Sequence, residues 1–378
     1  MSIEVDIVKR FRNFELEVSF KAGEERLGIL GASGCGKSVT LRCIAGVMQP
    51  DSGRIVIGSR VVFDSKCRIN LVPQLRRAGL LFQHYALFPT MSVRKNLEIV
   101  LNRKPRAVRN NRVEEIAEKF RLIQFIDQKP PQLSGGQQQR AAMARIFISS
   151  PEMIMLDEPL SALDSFLRLN VETELLEELK SFEGTVLFVS HNRDEMYRIC
   201  ERMLVLNEGK VETIGTTADL FRNPETLAAA RLTGVKNIAS AVAVGKQLAD
   251  VPDWGIRLKT DKELPSEKFF IAVRAHHIRE ALPFENINCF DFNVERKQSE
   301  PFRIKEILTT CRKNDTVENH VINDIESKII SATKIPLIRF ISGSQDPIFL
   351  REEFSNKQRL CIPPQHLMIL CGSSDKFL

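Results

Sequence analysis

Short runs of consecutive apolar residues alternate with longer stretches of helical spacing in the first part of the chain. Met153–Leu156 and Val186–Val189 are uninterrupted apolar runs, which are typical of strands covered on both faces in a parallel sheet. Apolar residues recur at helical spacing in three stretches: Val39–Val47, Val113–Phe120 and Ser165–Lys180. This alternation predicts an α/β domain over about residues 1–236.

The pattern changes near Asn237. Beyond it the apolar runs are short and polar turns interrupt them, as at Phe269–Val273, Leu337–Ile341 and Leu367–Leu370. This spacing predicts a small β-rich domain over residues 237–378.

Composition excludes a membrane-spanning chain. The 378 residues are 43% hydrophobic and 27% charged, as in an ordinary globular protein, and the apolar runs are far shorter than the roughly 20 residues of a membrane span. Met1–Asp6 carries acidic residues where a signal peptide has basic and apolar ones, so we expect a cytoplasmic location.

The net charge of +6 is modest for a chain of this length. It favours Lys and Arg side chains that are simply solvated over a surface that binds nucleic acid.

The cysteines are scattered, with no CxxC motif and no Cys/His cluster. They are Cys35, Cys43, Cys67, Cys200, Cys289, Cys311, Cys361 and Cys371. This spacing predicts free thiols, with neither a metal site nor a disulfide framework.

A glycine-rich segment, Gly31–Ser38, has the full P-loop spacing between a strand-like and a helix-like stretch. Its glycines let backbone N–H groups turn toward phosphate oxygens, and the helix N-terminus adds a favourable dipole. Lys37 is predicted to reach the β- and γ-phosphates, and the Ser38 hydroxyl to bind Mg²⁺. The candidate ATP-binding residues here are Gly31, Ser33, Gly34, Cys35, Gly36, Lys37, Ser38 and Val39.

The apolar run at Met153–Leu156 ends in two acidic residues, Asp157 and Glu158. Acids at the carboxyl end of a parallel strand face the ligand crevice. Asp157 is predicted to belong to the Mg²⁺ shell, and Glu158 to polarise the attacking water.

A second candidate anion site precedes a predicted helix, in the sequence Leu133–Arg140 (LSGGQQQR). Its candidate residues are Ser134, Gly135, Gly136 and Gln137. One nucleotide does not need two phosphate-binding segments from the same chain. In two chains arranged head to tail, each nucleotide would lie between the P-loop of one chain and this second segment of the other. Followed by the acidic strand, this segment resembles the signature of the ATP-binding cassette (ABC) ATPases.

The resemblance implies a P-loop NTPase core with an inserted helical subdomain at about residues 86–150, active with ATP and Mg²⁺. Gln83 is similar to the glutamine that senses Mg²⁺ and the attacking water, which makes it the third predicted Mg²⁺ ligand beside Ser38 and Asp157. His191 is similar to the switch histidine that touches the γ-phosphate. Asp164 falls in a segment similar to the loop that crosses the dimer interface. Phe11 corresponds to the aromatic that stacks on adenine, although nearby Phe14 is an alternative and both could belong to the core.

Among ABC proteins, the detached ATPase subunit of a bacterial importer fits best. The chain has one P-loop and one signature with no sustained heptads between them, which disfavours soluble non-transport members with coiled coils or two cassettes. Ala86–Leu97 resembles the importer segment that forms a groove for a helix of the membrane subunit. The resemblance therefore implies a second copy of the chain, integral membrane permease subunits and indirectly a substrate-binding protein as partners, at the cytoplasmic face of the membrane.

The cargo is predicted from local resemblances only. Phe11–Gly23, Ile69–Gly79 and Ala230–Ile238 are similar to molybdate-importer ATPases, so molybdate or a related oxyanion is the first prediction. Sulfate, polyamine, iron and sugar importers remain alternatives. In the C-terminal domain, basic residues such as Arg274 could bind an oxyanion, or the domain could only support dimerisation.

Overall fold

The computed structural model describes residues 2–161, 165–265, 268–300, 303–310, 338–342 and 357–370. The chain divides into two compact units, residues 1–222 and 223–378. No helix in these described ranges combines the length and the apolar character that crossing a membrane requires.

The described part of the first unit is built on an eleven-stranded sheet. Its strands are β1 (Ile3–Phe11), β2 (Phe14–Ala22), β3 (Arg26–Gly31), β4 (Ser52–Ile57), β5 (Arg60–Asp64), β6 (Ile69–Asn70), β7 (Ala78–Leu81), β8 (Met153–Asp157), β9 (Thr185–Val189), β10 (Arg202–Asn207) and β11 (Lys210–Thr216). Its α-helices are α1 (Lys37–Ala45), α2 (Val93–Glu98), α3 (Arg106–Lys119), α4 (Gly135–Phe147), α5 (Ser165–Lys180), α6 (Arg193–Ile199) and α7 (Thr217–Arg222).

The sheet is mixed, with strand order β6-β5-β4-β1-β2-β11-β10-β3-β9-β8-β7. The run from β10 to β7 is parallel, and every residue of β8 and β9 is buried, as their continuous apolar sequences predict. The predicted α/β fold is confirmed. The antiparallel wing from β6 to β2 was not predicted, although β2 alternates buried and exposed residues as a one-sided strand does.

Between β7 and β8 the chain is helical and contains α2, α3 and α4. This is the predicted helical insertion. Val113 and Ile116 bury one face of α3, and the ring of Phe120 lies 5.3 Å from that of Phe147 at the end of α4. Aromatic packing thus holds the two longer helices together.

The described part of the second unit is mostly β-structure, as predicted. It contains α8 (Leu227–Leu232), β12 (Asn237–Gly245), β13 (Leu248–Val251), β14 (Ile256–Lys259), β15 (Phe269–Val273), β16 (Arg279–Glu280), β17 (Cys289–Glu300), β18 (Arg303–Thr310), β19 (Ile338–Ser342), β20 (Lys357–Cys361) and β21 (Met368–Leu370). The strands form two five-stranded sheets, ordered β14-β13-β12-β15-β21 and β16-β20-β17-β18-β19.

The division between the units falls after Arg222, whereas the sequence pattern predicts a boundary near Asn237. The intervening segment contains α8, and Ala230 of that helix packs with Val235, Ala272 and Met368. These contacts belong to the second unit, and an apolar pattern read along the sequence does not reveal them.

One buried side chain, Arg76, holds the end of the P-loop helix α1. It is fully buried, and its guanidinium donates to the carbonyls of Cys43 and Ile44, both at 2.9 Å. It also donates to Leu71 O and Asn70 Oδ1, both at 2.8 Å. Carbonyls in the last turn of a helix lack intrahelical partners, and a cation there is favoured by the helix dipole. Burial lowers the pKa of this arginine.

Removal of this cap should destabilise the first unit. Arg76→Met leaves the carbonyls of α1 without their charged donor, so we expect the free energy of unfolding to fall by about 2–4 kcal/mol. Urea unfolding followed by circular dichroism measures the loss. Arg77→Met is the matched control, because Arg77 is exposed and its ion pair with Glu152 at the surface contributes little. Equal unfolding midpoints for the two variants would contradict the role of Arg76.

Candidate nucleotide-binding site

The P-loop connects β3 to α1 through two glycines in the left-handed region, Gly34 with φ 82° and Gly36 with φ 107°. A Cβ at Gly36 would lie 2.5 Å from Leu16 Cδ1, so both the turn and the close packing require glycine. Gly36 is also the N-cap of α1, and no side chain caps the helix there. The first-turn N–H groups of α1 are therefore suited to bind an anion.

Lys37 is buried and folds back over the loop. Its ammonium donates to the carbonyls of Gly31 and Ala32, both at 2.8 Å, and lies 4.0 Å from Cys35 Sγ. Burial raises the pKa of Cys35, which favours the neutral thiol. The loop therefore places a positive charge in front of the α1 N-terminus, where phosphate oxygens would bind.

Two of the three predicted Mg²⁺ ligands, Ser38 of the P-loop and Asp157 of β8, are in contact. Ser38 Oγ donates to Asp157 Oδ1 at 2.9 Å. Burial raises the pKa of Asp157, and the hydrogen bond from Ser38 opposes that rise. A hydroxyl and a carboxylate side by side are the hard oxygen ligands that Mg²⁺ takes in proteins, so these residues fit the ion.

The three predicted catalytic side chains meet at one carboxylate. Glu158 Oε1 lies 3.2 Å from His191 Nδ1, and Glu158 Oε2 accepts from Gln83 Nε2 at 3.5 Å. Glu158 has φ 49°, and its N–H donates to Val189 O at 3.0 Å, which attaches this residue to the end of β9. A non-glycine residue in the left-handed region is costly and is typically found at functional sites.

Most of these residues line one open cleft of about 650 Å³, a size suited to a nucleotide, whereas Asp157 is buried and is not among the lining residues. Its lining consists of Phe11, Phe14, Ser33, Gly34, Gly36, Lys37, Ser38, Val39, Gln83, Glu158 and His191. Gly31 and Cys35 are buried below it. The Phe11 and Phe14 rings lie 6.0 Å apart, and Phe11 is 41% exposed, so both aromatics are at the cleft.

The signature residues lie outside this cleft. Ser134 is exposed and is the N-cap of α4; its Oγ accepts from Gln137 N at 3.4 Å, while Gln137 Oε1 accepts from Ser134 N at 2.8 Å. This reciprocal pair is a capping box. Among the described residues that line the cleft, there is no member of the Ser134–Gln137 segment. Asp164, predicted for the dimer-crossing loop, lies outside the described residues.

Sequence reasoning missed Glu195, which positions the segment that carries His191. Glu195 is buried and accepts from Ser190 Oγ at 2.7 Å and from Asn192 Nδ2 at 3.2 Å. Asn192 is the N-cap of α6, and its side chain accepts from the N–H groups of Asp194 and Glu195. An Asn followed three residues later by Glu is a local helix-start signal that could have indicated this arrangement.

Comparison with known proteins shows the family of this chain. The family model of the ABC transporter matches residues 14–161. The spermidine/putrescine import ATP-binding protein PotA of Nitratidesulfovibrio vulgaris is 35% identical over 275 residues, which cover 71% of this chain and 72% of that protein. The protein of the same name from Bacillus thuringiensis (strain Al Hakam) is 40% identical over 225 residues, 59% of this chain and 67% of that protein. The chain belongs to the ABC transporter ATP-binding family.

As an ABC-type ATPase, the chain binds ATP and hydrolyses it. A solved dimeric ATP-binding cassette in a post-hydrolysis state with ADP and phosphate is 28% identical, with a TM-score of 0.49, over 57% of this chain and 99% of that one.

Glu158 is the residue whose replacement should separate ATP binding from hydrolysis. Glu158→Gln preserves the shape of the side chain but removes the proton acceptor, so turnover should fall at least about 10²-fold while ATP still binds. Phosphate release and equilibrium ATP binding measure the two effects. Glu183→Gln, at an exposed position, is the matched control and should hydrolyse ATP normally. Near-normal turnover by Glu158→Gln would exclude Glu158 as the base.

Proposed function

We propose that this chain is the ATPase subunit of an ABC importer and that it works as a head-to-tail dimer at the cytoplasmic face of the membrane. The proposal rests on one observation: the P-loop cleft and the signature segment are each well formed, but they lie apart from each other. One cleft gathers Lys37, Ser38, Glu158 and His191, whereas the signature at Ser134 lies outside it. A second copy that presents its signature to this cleft would complete the site.

Within that site the side chains have distinct roles. Lys37 neutralises the β- and γ-phosphates. Ser38 and Asp157 would hold Mg²⁺, which would supply charge stabilisation to the phosphates. Glu158 accepts a proton from the attacking water. His191 and Gln83 contact the Glu158 carboxylate and thereby hold it toward the γ-phosphate position.

Closure of the dimer would provide the mechanical work. ATP binds the closed dimer better than the open one, because only in the closed dimer does the signature of the partner contact the nucleotide. Binding of ATP therefore shifts the population toward the closed dimer. In the partner, Ser134 and the N–H groups at the start of α4 then face the γ-phosphate. Hydrolysis removes the γ-phosphate that connects the two chains, and the dimer reopens.

The segment after Gln83 supports a docking site for a permease helix. Asn96 is fully buried and fixes the loop before α2: its Oδ1 accepts from Phe88 N at 2.8 Å, and its Nδ2 donates to Met91 O at 3.2 Å. Phe88 remains 43% exposed, with the Arg145 guanidinium 5.6 Å from its ring. Arg145 also donates to Ala86 O at 2.8 Å, which links this loop to α4. An apolar ring on a rigid loop next to the Gln83 segment could therefore transmit closure to a membrane partner.

For the cargo, we place polyamines before molybdate. The relatives reported above are named as spermidine/putrescine import proteins, and none of them is named for molybdate. The molybdate prediction rests on three short segments alone and has no support from these relatives.

The second unit is proposed to regulate or support the dimer. Arg274, a candidate oxyanion ligand, donates to Thr233 O at 3.1 Å and to Thr233 Oγ1 at 3.3 Å. Its guanidinium therefore already has acceptors within the unit, which favours a supporting role for this arginine over anion capture.

Crosslinking tests the head-to-tail dimer. In chains that also carry Glu158→Gln to retain ATP, a Ser33→Cys chain mixed with a Ser134→Cys chain should form an ATP-dependent disulfide between the two chains. Non-reducing electrophoresis and mass spectrometry of the linked peptides measure it, and each single chain incubated alone is the control. A chain that carries both Ser33→Cys and Ser134→Cys is tested as well. If its disulfide forms only within a single chain, the shared site is contradicted.

Uptake by cells tests the importer and its cargo. Deletion of the gene for this chain should abolish uptake of labelled spermidine or putrescine, and the wild-type chain should restore it whereas Glu158→Gln should not. Glu183→Gln is the matched control and should restore uptake. If deletion abolishes molybdate uptake instead, the polyamine proposal is wrong, and if no labelled solute is affected, the importer proposal is wrong for these cargoes.

A further inference from the structure

Two cysteines that are far apart in the sequence face each other in the second unit. Cys289 begins β17, Cys361 ends β20, and the antiparallel register pairs them directly. Ile362 N donates to Asn288 O at 3.0 Å, so the backbone hydrogen bond lies beside the cysteine pair rather than within it. In such a non-hydrogen-bonded pair the opposed side chains are closest.

Oxygen donors complete the cluster around the two thiols. Glu285 Oε1 lies 3.2 Å from Cys361 Sγ, and Ile287 O lies 3.4 Å from Cys289 Sγ and 3.5 Å from Cys361 Sγ. One ligand atom from each of Glu285, Cys289 and Cys361 lies within 4.8 Å of the others. Sulfur and oxygen ligands of a tetrahedral zinc ion are separated by about 3.5 Å, given the usual Zn–S and Zn–O lengths. The three sulfur–oxygen distances given above therefore match the spacing of ligands in a tetrahedral site.

The carboxylate is held in place by groups around it. Arg279 donates to both oxygens of Glu285 at 2.8 Å, and Leu282 N donates to Oε2 at 3.0 Å. Arg279 is paired with Cys361 across β16 and β20, so its side chain projects from the same face of the sheet. Metal-binding carboxylates are commonly fixed by hydrogen bonds of this kind. Two thiolates and one carboxylate also balance the charges of a divalent ion and of Arg279.

We propose that Cys289, Cys361 and Glu285 form a binding site for a zinc-class divalent cation, with the Ile287 carbonyl or a water as the fourth ligand. Each thiol releases its proton to the solvent when the ion binds. The ion joins β17, β20 and the segment before β17, so its binding stabilises this part of the unit. A disulfide would use the two sulfurs but not the carboxylate and carbonyl that converge on them.

Cobalt substitution in the full chain tests the site. The chain is reduced with a phosphine, freed of metal with a chelator that is then removed, and titrated with Co²⁺ and then Zn²⁺. We expect one equivalent of Co²⁺ per chain, with thiolate-to-cobalt charge-transfer absorption and a tetrahedral visible band, both abolished by Zn²⁺. In the variant with Cys289→Ser and Cys361→Ser, the affinity should fall at least about 10²-fold and the charge-transfer absorption should disappear.

Two controls keep the result interpretable. Cys67→Ser changes an exposed thiol in the first unit and should leave the cobalt spectrum unchanged. The metal-free double variant should give the same circular dichroism spectrum and the same urea unfolding curve as the metal-free wild-type chain, which shows that the second unit is folded. Absence of the charge-transfer absorption in the reduced wild-type chain, or its persistence in the folded double variant, overturns the proposal. If the double variant is not folded, Cys289→Ser alone, at the less buried of the two positions, is tested instead. Because Cys361 remains, its charge-transfer absorption and its affinity for Co²⁺ should both fall, and an absorption and affinity equal to those of the wild-type chain overturn the proposal.

Discussion

The placement of α1 against the parallel strands is the constraint on which the nucleotide site depends. The helix must begin at the end of β3, so the chain turns through Gly34 and Gly36 in conformations that other residues rarely adopt. Its opposite end is held by the buried guanidinium of Arg76. With both ends held, Ser38 lies against Asp157 at the end of β8, and the P-loop and the acidic strand form one site.

The site combines groups that would be unfavourable elsewhere in the protein. Asp157 is buried enough to raise its pKa, and Glu158 has a left-handed backbone conformation. Both features are consistent with a pocket made for a cation and phosphates, because bound Mg²⁺ would favour the charged form of Asp157 and the turn at Glu158 directs its carboxylate into the cleft. Interactions outside the cleft hold this geometry. One of them is the hydrogen bond that the Ser190 hydroxyl donates to the Glu195 carboxylate.

The two units of the chain depend on different kinds of contact. In the first, the candidate catalytic groups are placed by strand ends and helix starts, so the geometry of the site follows closely from the order of elements. In the second, the Cys289–Cys361 pair and the Glu285–Arg279 pair arise from the register of short strands and the conformation of one connection. The family model matches residues 14–161 and therefore says nothing about this part of the chain.

The sequence by itself determined the family, the α/β core and most of the residues of the cleft. This was possible because the chemistry of the P-loop and of the signature is local: glycine conformations, a helix N-terminus and a strand ending in acids each occupy a few consecutive residues. The same local information predicted that the signature and the P-loop serve different nucleotides.

Only the tertiary structure decided which distant residues meet. Arg76 is an ordinary basic residue in the sequence, and its role appears only when the C-terminal end of α1 and the Leu71 segment come together around it. The spacing of the cysteines likewise predicted no metal site among them, because Cys289 and Cys361 are separated by a long segment and become neighbours through strand pairing alone. Strand register is set by packing across the whole sheet, and no short motif in the sequence encodes it.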